Sequence, residues 1–406
     1  MTTPRRPRVA IFGLLGSGNL GNHGSLDAML QYLHARQPGA SLSCVCAGPE
    51  EIERRYGIPA IPINWYHLSA TGELSRPVTV ALKAFGKVAD IARTARWVRR
   101  HDVVIVPGMG VLEATLPIRP WGFPYALFLV SLWGKVFGTK VALVSVGANA
   151  MRQPGTRWFV RQAARLACYR SFRDLQSRDA LREIGVDAGD DGVYPDLAFG
   201  LPETWPVREA EKTVGIGVMA YYGTYLDRHR ANEIHAGYVG KLTEFVRWLI
   251  GEGYAVRLFT GDPADEVVVE ALLSELGPDA PIVAEKAESL GGLMEQMATV
   301  EVVVASRYHN VVSALKVAKP TISISYAPKN DVLMAEMGVR DFCQPIRAVD
   351  VPRLIEQFQT LVARREQVRQ VLVEHNGRLR RLLARQEAVL TEKLFSTAVL
   401  AAAHTD

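Results

Sequence analysis

Short apolar runs alternate with longer amphipathic stretches through the first half of the chain. The apolar runs predict strands at 8–15, 41–47, 103–107 and 140–147. The stretches that follow them predict helices at 25–35, 79–99, 124–137, 156–167 and 177–184. Strands separated by helices are typical of βαβ units, so we expect a mostly parallel sheet.

The alternation pauses near residues 201–206, which include two prolines, and then resumes. The second series predicts strands at 213–220, 255–260, 281–283, 301–305 and 321–325. The helices predicted between them cover 233–251, 265–276, 290–298 and 310–317. After these, residues 351–400 predict one or two long helices, with Gly377 as the break.

A chain of 406 residues is longer than a single hydrophobic core usually grows, so more than one domain is expected. We predict an α/β protein with two Rossmann-like domains, at 1–205 and 206–345, and a C-terminal helical segment at 346–406. Two such domains would form a cleft between facing strand ends. A cleft of this kind is a common place for a small-molecule site.

The composition is that of an ordinary globular protein, with 48% hydrophobic and 22% charged residues. The formal net charge is only +5, and the excess is concentrated at 5–8 and among the arginines of 353–385. No nucleic-acid partner is therefore expected. We expect the C-terminal arginines to be solvated, and a basic surface that holds the protein near anionic lipids is the alternative.

Two further features favour a cytoplasmic protein without a membrane span. Residues 121–146 are the most hydrophobic part of the chain, but Lys135, Lys140 and two glycines divide them into a helix and a strand, each too short to cross a bilayer. The four cysteines lack metal-binding or CxxC spacing, so we expect reduced thiols and no metal site.

Polar side chains follow two strands of the second series, at the point where each strand ends. Arg307 and His309 follow the strand at 301–305, and Tyr326 and Lys329 follow the strand at 321–325. Ligands of open α/β sheets bind outside the carboxyl ends of the strands. Because desolvating several cationic groups together is costly unless an anion compensates them, we predict an anion site with His309 as its acid or base.

A glycine-rich loop follows the first strand and reads GSGNLGNHG at 16–24. It contains GxGxxG, the dinucleotide fingerprint, but no acidic residue ends the second strand to hold a ribose. We therefore predict a loop that binds a polar ligand through Gly18, Asn19, Asn22 and His23. A plain tight turn is an equal alternative for each asparagine.

Four further residues of the first half are candidates for the cleft. Gly108 and Glu113 follow the strand at 103–107, Asn149 follows the strand at 140–147, and Arg173 precedes a helix whose predicted N-cap is Ser177. Glycines at strand ends also simply form turns. Arg173 could equally pair with Asp174 or Asp196 and stabilise the domain.

Together these segments resemble the polysaccharide pyruvyl transferase family over roughly residues 8–329. The matching segments are GSGNLGNHGSLDAML, VIVPGMGVLEA, SFRDLQSRDALREIGV, YPDLAF and SRYHNVVSALKVAKPTISISYAPK. The resemblance implies a GT-B-like pair of Rossmann-like domains and assigns the catalytic roles to Arg307, His309 and Lys329, with Asn19 matched more weakly. Many members have an acidic residue after the glycine of the first loop, where this chain has Asn22.

The family implies transfer of the enolpyruvyl-derived unit of phosphoenolpyruvate to two hydroxyls of a sugar, which forms a cyclic pyruvate ketal and releases phosphate. No metal or nucleotide cofactor is implied. The expected partners are phosphoenolpyruvate and a sugar or lipid-linked glycan acceptor, in the cytoplasm or at the inner face of the membrane. The alternatives are a GT-B glycosyltransferase that uses a nucleotide sugar and a non-catalytic anion-binding protein of the same fold.

Overall fold

The computed structural model describes residues 6–65, 76–112, 120–203 and 211–396. Contacts between residues divide the chain into two compact units. The first unit contains the described residues of Met1–Ser17, Ser25–Leu197 and Leu382–Asp406. The second unit contains those of Gly18–Gly24 and Ala198–Arg381. The helical segment predicted at 346–406 is thus shared between the two units at residue 381.

The first unit is built on a parallel sheet of seven strands. Its strands are β1 (Arg8–Phe12), β2 (Ser41–Cys46), β3 (Ala60–Pro62), β4 (Val103–Pro107), β5 (Lys140–Val146), β6 (Tyr169–Phe172) and β7 (Gly192–Val193). Its helices are α1 (Leu20–Arg36), α2 (Pro49–Tyr56), α3 (Arg76–Val98), α4 (Phe123–Phe137), α5 (Pro154–Leu166) and α6 (Leu175–Glu183). The strand order is β3-β2-β1-β4-β5-β6-β7.

This strand order determines which helices share a face of the sheet. Right-handed crossovers leave β1 in one direction and β4 in the other, so α1 and α2 lie on one face and α3 to α6 on the opposite face. Contacts between α3 and α4 and between α4 and α5 agree with this arrangement. Every residue of β4 is buried, as expected for a central parallel strand covered on both faces.

The second unit is built on a parallel sheet of six strands. Its strands are β8 (Thr213–Gly217), β9 (Ala255–Phe259), β10 (Ile282–Ala284), β11 (Val302–Ala305), β12 (Thr321–Ser325) and β13 (Cys343–Pro345). Its helices are α7 (Ala231–Gly251), α8 (Glu266–Leu276), α9 (Leu290–Ala298), α10 (Tyr308–Lys316), α11 (Pro328–Glu336) and α12 (Val351–Ala363). The order β10-β9-β8-β11-β12-β13 repeats the doubly wound pattern of the first sheet.

The C-terminal region forms two helices, α12 and α13 (Arg365–Phe395). The chain breaks at Arg364 rather than at Gly377, which lies inside α13, so the predicted break was wrong. A glycine within a helix costs only about 1 kcal/mol, which the buried leucines of α13 can offset. In the second unit, Asn376 of α13 donates hydrogen bonds to Leu315 O and Lys316 O at 2.9 and 3.1 Å.

Several other element boundaries differ from the predictions for local reasons. Helix α1 begins at Leu20 rather than at residue 25, because Asn19 accepts a hydrogen bond from the Asn22 backbone and caps the helix. Helix α6 is capped by Asp174, which accepts from Ser177 N at 2.6 Å, so Ser177 is not its N-cap. Strands β3, β7 and β13 are too short to produce a periodic pattern.

Candidate functional site

The predicted cluster of polar residues lies at the carboxyl edge of the second sheet. Strands β11 and β12 are parallel neighbours, with Val303 beside Thr321 and Ala305 beside Ser323. All residues of both strands are buried, so the chain can only turn into solvent where each strand ends. The structure therefore brings Arg307, His309, Tyr326 and Lys329 to one edge of one unit.

Arg307 is held by a buried carboxylate that the sequence analysis did not identify. Its Nε donates to Asp265 Oδ2 at 2.5 Å, and its Nη2 donates to Asp265 Oδ1. Burial lowers the pKa of the Arg307 guanidinium, but the hydrogen bonds and charge of Asp265 outweigh it and raise the pKa above its usual value. Nη1 has no hydrogen-bond partner among the described residues.

Asp265 is fully buried, and both of its carboxylate oxygens accept hydrogen bonds. Besides Arg307, it accepts hydrogen bonds from Ala220 N at 2.9 Å and Gly261 N at 3.2 Å. The anion that compensates Arg307 is therefore Asp265 of the protein itself, so the burial of Arg307 does not by itself require an external anion. The sequence carried one signal for Asp265, which is the group of acidic residues Asp262, Asp265 and Glu266 in the segment after β9.

Lys329 lies at the start of α11, over two aromatic rings. Its Nζ is 5.1 Å from the centroid of the Tyr308 ring and 5.1 Å from that of the Tyr326 ring. Cation–π contacts of this kind stabilise an ammonium group without neutralising its charge. Tyr308 in turn contacts His309, with ring centroids 5.2 Å apart. Lys329, Tyr308 and His309 thus form a continuous row of side chains.

His309 approaches the first turn of α1, whose residues 20–24 belong to the second unit. A Cβ atom built on Gly21 would lie 1.9 Å from His309 Nδ1, far inside van der Waals contact. Only glycine at position 21 therefore permits the observed position of the imidazole ring. Gly21 was not among the residues predicted for this loop, which were Gly18 and three polar residues.

The same loop is fastened to the segment that follows β9. Asn19 Nδ2 donates to Asp262 Oδ2 at 2.9 Å, and Leu20 N donates to Gly261 O at 3.0 Å. Gly18 has a φ of +81° and packs against Pro263. Asn19 thus has the structural role that a turn residue would have. Ligand contacts by Gly18, Asn19, Asn22 and the buried His23 remain predictions.

Two buried asparagines, also missed, connect the strand ends beneath this row. Asn330 Nδ2 donates to Ser306 O at 3.1 Å, and Asn310 Nδ2 donates to Phe259 O at 3.4 Å. Ser306 also makes a 2.8 Å hydrogen bond with the hydroxyl of Tyr238 on α7. Burial raises the pKa of Tyr238 to about 12, so this hydroxyl is protonated at neutral pH. These contacts fix the backbone from which Arg307 and His309 project.

The remaining candidates belong to the first unit. Gly108 has a φ of +51°, and a Cβ there would lie 2.6 Å from Ser25 Oγ, so glycine is required for packing. Arg173 is buried and pairs with Asp174 and Asp196, each at 3.5 Å, which is the structural alternative foreseen for it. Asn149 is half-buried just after β5, and Glu113 lies outside the described residues. Their contacts with substrate remain predictions.

The site combines a guanidinium, an ammonium group and an imidazole, which suits binding of an anionic ligand together with proton transfer. Within the described ranges, no three His, Cys, Asp or Glu side chains are placed to share a metal ion. None of the helices in the described part of the chain is long and apolar enough to cross a membrane.

Three solved structures of similar fold are named as epimerases or as a glycosyltransferase. A putative UDP-N-acetylglucosamine 2-epimerase from Listeria monocytogenes is similar with a TM-score of 0.60 at 11% identity, covering 96% of this chain and 97% of that one. The UDP-GlcNAc 2-epimerase from Neisseria meningitidis, bound to UDP-GlcNAc, gives a TM-score of 0.59 at 11% identity and covers 95% and 98%. A spinosyn rhamnosyltransferase complexed with its aglycone gives 0.53 at 14% identity and covers 96% and 100%.

At these identities the likeness concerns the fold alone. With the two parallel sheets, their flanking helices and the C-terminal helix, it confirms the predicted GT-B-like class of two Rossmann-like domains. No curated protein matches the sequence. The family model for polysaccharide pyruvyl transferase matches residues 19–328, a range that begins at Asn19 and ends just before Lys329. The chain belongs to the polysaccharide pyruvyl transferase family.

Proposed function

We propose that this protein transfers a pyruvate ketal from phosphoenolpyruvate to two hydroxyls of a sugar in a glycan or glycolipid precursor and releases phosphate. The observation that carries the proposal is the placement of Arg307, His309 and Lys329 at the carboxyl edge of β11 and β12. Phosphoenolpyruvate carries a carboxylate and a phosphate ester on the same carbon, C2. Two cations with an imidazole beside them match both its charge and the proton transfers that it requires.

The proposed reaction balances without an oxidant or a reductant. One sugar hydroxyl forms a bond to C2 of phosphoenolpyruvate while the methylene carbon gains a proton and becomes a methyl group. Phosphate then leaves C2, and the second hydroxyl forms the second C–O bond of the ketal. The two hydroxyl protons are accounted for by the new methyl group and the released phosphate.

Arg307 and Lys329 are proposed to bind the donor in different ways. Arg307 is oriented by the pairing of Nε and Nη2 with Asp265, which leaves Nη1 to meet a carboxylate or phosphate oxygen. Lys329 would act as a point charge, because its cation–π contacts leave the ammonium positively charged. Charge on both sides of C2 would stabilise the phosphate as it leaves.

His309 is proposed to move the proton. It would either protonate the methylene carbon or accept the proton of the attacking hydroxyl, and histidine titrates close to neutral pH. The two roles have opposite pH dependence. An acid loses activity as pH rises through its pKa, and a base loses activity as pH falls through its pKa. The limb of the pH–rate profile that disappears in His309→Ala identifies the role.

The test is release of phosphate from phosphoenolpyruvate in the presence of candidate sugar acceptors. His309→Ala should lower kcat by at least about 100-fold, the usual contribution of a general acid or base. Lys329→Ala should mainly raise KM for phosphoenolpyruvate. The matched control is His229→Ala, which removes an exposed histidine of the same unit. Full activity of His309→Ala, or no phosphate with any acceptor, would overturn the proposal.

The same experiment separates the alternatives. Tight binding of a nucleotide sugar without phosphate release would favour a glycosyltransferase. Solved structures of similar fold include a rhamnosyltransferase and an epimerase bound to UDP-GlcNAc. Binding of phosphoenolpyruvate without turnover would favour an anion-binding protein. The cytoplasm is the proposed compartment, because all four cysteines are free thiols.

A further inference from the structure

The charged side chains of helices α3, α4 and α5 in the first unit are almost all positive. They contain nine lysines and arginines and a single acidic residue, Asp90. Asp90 is buried and pairs with Lys87 and Arg93, so it presents no negative charge to solvent. The whole chain has a formal charge of only +5, so these three helices are a further region of concentrated positive charge, besides residues 5–8 and the arginines of 353–385.

The same helices expose large apolar side chains. Phe85 and Val88 lie on α3, Trp121 just before α4, Val136 near the end of α4, and Trp158 on α5, and each is about half exposed or more. On α3 the exposed apolar positions recur with helical spacing, through Ala81, Ala84, Phe85, Val88, Ile91 and Ala92. A single exposed apolar residue is ordinary, but a stripe of them is a sign of an interaction surface.

Side-chain contacts join these residues into one surface. Trp121 contacts Tyr125 and Phe159, with ring centroids 5.5 and 5.4 Å apart, and Trp158 lies 5.2 Å from Phe128. The guanidinium of Arg99 lies 5.9 Å from the ring of Phe137, which connects α4 with the residues that follow α3. We call the outward face of α3, α4 and α5, together with Arg99 and Arg100, the basic–apolar surface.

A hollow of about 440 Å³ opens on this surface and is lined by Ala95, Arg96, Arg99, Arg100 and Phe137. All three arginines are exposed. The hollow therefore offers three guanidinium groups around an apolar floor. A lipid phosphate with the first carbons of its glycerol and acyl chains has the complementary chemistry, since guanidinium groups pair with phosphate oxygens and the ring accepts the hydrocarbon.

We propose that the basic–apolar surface docks on a bilayer that contains anionic lipids. The arginines would be drawn to the negative surface potential, and Phe85, Val88 and the tryptophans would enter the interfacial region. Tryptophan is enriched at membrane interfaces because its ring is apolar and its N–H is polar. This surface differs from the arginine-rich α13 that the sequence singled out, and the proposal does not depend on pyruvyl transfer.

The test is co-sedimentation of the full chain with phosphatidylcholine vesicles that do or do not contain phosphatidylglycerol. Binding should require phosphatidylglycerol and should weaken at high salt. Reversing three charges with Arg96→Glu, Arg99→Glu and Arg100→Glu should weaken the partition coefficient at least about tenfold, since each basic residue near the surface contributes about fivefold. Phe85→Ser with Val88→Ser should also weaken binding at unchanged charge.

The matched control reverses the same charge elsewhere, with Arg364→Glu, Arg365→Glu and Arg378→Glu, three exposed arginines of the C-terminal region. It should bind vesicles as the unmodified chain does, and circular dichroism should show that all variants are folded. Equal loss in the control would place lipid binding on α13 and overturn the proposal. Absence of binding, or self-association without lipid that the surface variants abolish, would overturn it as well.

Discussion

At the scale of single residues, the site depends on one residue that orients Arg307 and on one that leaves space for His309. Asp265 holds two nitrogens of Arg307, and Gly21 leaves space for the ring of His309. Asp265 is a positioning residue here, since its oxygens are occupied by Arg307 and two backbone amides. Asp265 lies outside the motifs from which the sequence predicted the site, and Gly21 lies within the GxGxxG loop but was not itself singled out.

Gly21→Ala should displace the His309 ring, because the new Cβ would overlap Nδ1. A shift of about 1 Å in a catalytic group can cost about 100-fold in rate, so phosphate release should fall by at least tenfold. The melting temperature should fall too. The matched control is Gly240→Ala, at a glycine of α7 where a Cβ would meet open space. Its melting temperature should rise, because alanine is the better helix former by about 0.5–1 kcal/mol. Wild-type activity in Gly21→Ala would contradict the assigned role.

At the scale of elements, segments with an uninterrupted apolar pattern were predictable, and most of the shortest strands were not. Helix α9 and strand β12 have the predicted bounds, because their apolar patterns are uninterrupted and their ends carry clear signals such as Ser289, which caps α9. Strands β3, β7 and β13 have only two or three residues and were not predicted, because such short strands gain their pairing from neighbours in the sheet; β10, also of three residues, was predicted. Helix α13 continues through Gly377 because its buried contacts outweigh the local propensity of glycine.

Asn376→Ala should destabilise the second unit through the end of α10. Its amide donates to the carbonyls of Leu315 and Lys316, which lie in the last turn of that helix, where carbonyls lack their usual partners four residues on. Loss of a buried hydrogen bond of this kind costs about 1–3 kcal/mol of the free energy of unfolding. Urea denaturation measures the change. Gln370→Ala, an exposed substitution on the same helix, is the control and should change stability by no more than about 0.5 kcal/mol. An equal effect of both substitutions would show that Asn376 does not cap α10.

At the scale of the whole molecule, buried tyrosines link stability to alkaline pH. Burial raises the pKa of Tyr238 to about 12 from a usual value of 10.0. A group whose pKa is raised on folding keeps its proton in the folded state while the unfolded chain loses it. Stability is therefore complete below pH 10 and falls as pH rises towards 12.

Between pH 10 and 12 this single tyrosine should lower the free energy of unfolding by about 1.4 kcal/mol per pH unit. Tyr238→Phe should be less stable than the unmodified chain at neutral pH, since it loses the bond to Ser306, and the difference should shrink or reverse by about pH 11. Urea denaturation at both pH values gives the comparison. Tyr222→Phe, which alters a tyrosine that is 41% exposed, is the matched control for the Tyr→Phe change itself. A constant difference for Tyr238→Phe would refute the link.

The sequence by itself determined the class of fold, the order of most elements and the strand ends from which Arg307, His309 and Lys329 project. Periodicity and strand-end chemistry are local, and a local pattern is all that these inferences need. Only the tertiary structure decided what each group meets. Asp265 is forty-two positions before Arg307, yet it orients the Arg307 guanidinium. Gly21 lies in the first turn of α1, yet it leaves the space that the His309 ring occupies. Packing brings such distant residues together, and no spacing in the sequence encodes the distance between them.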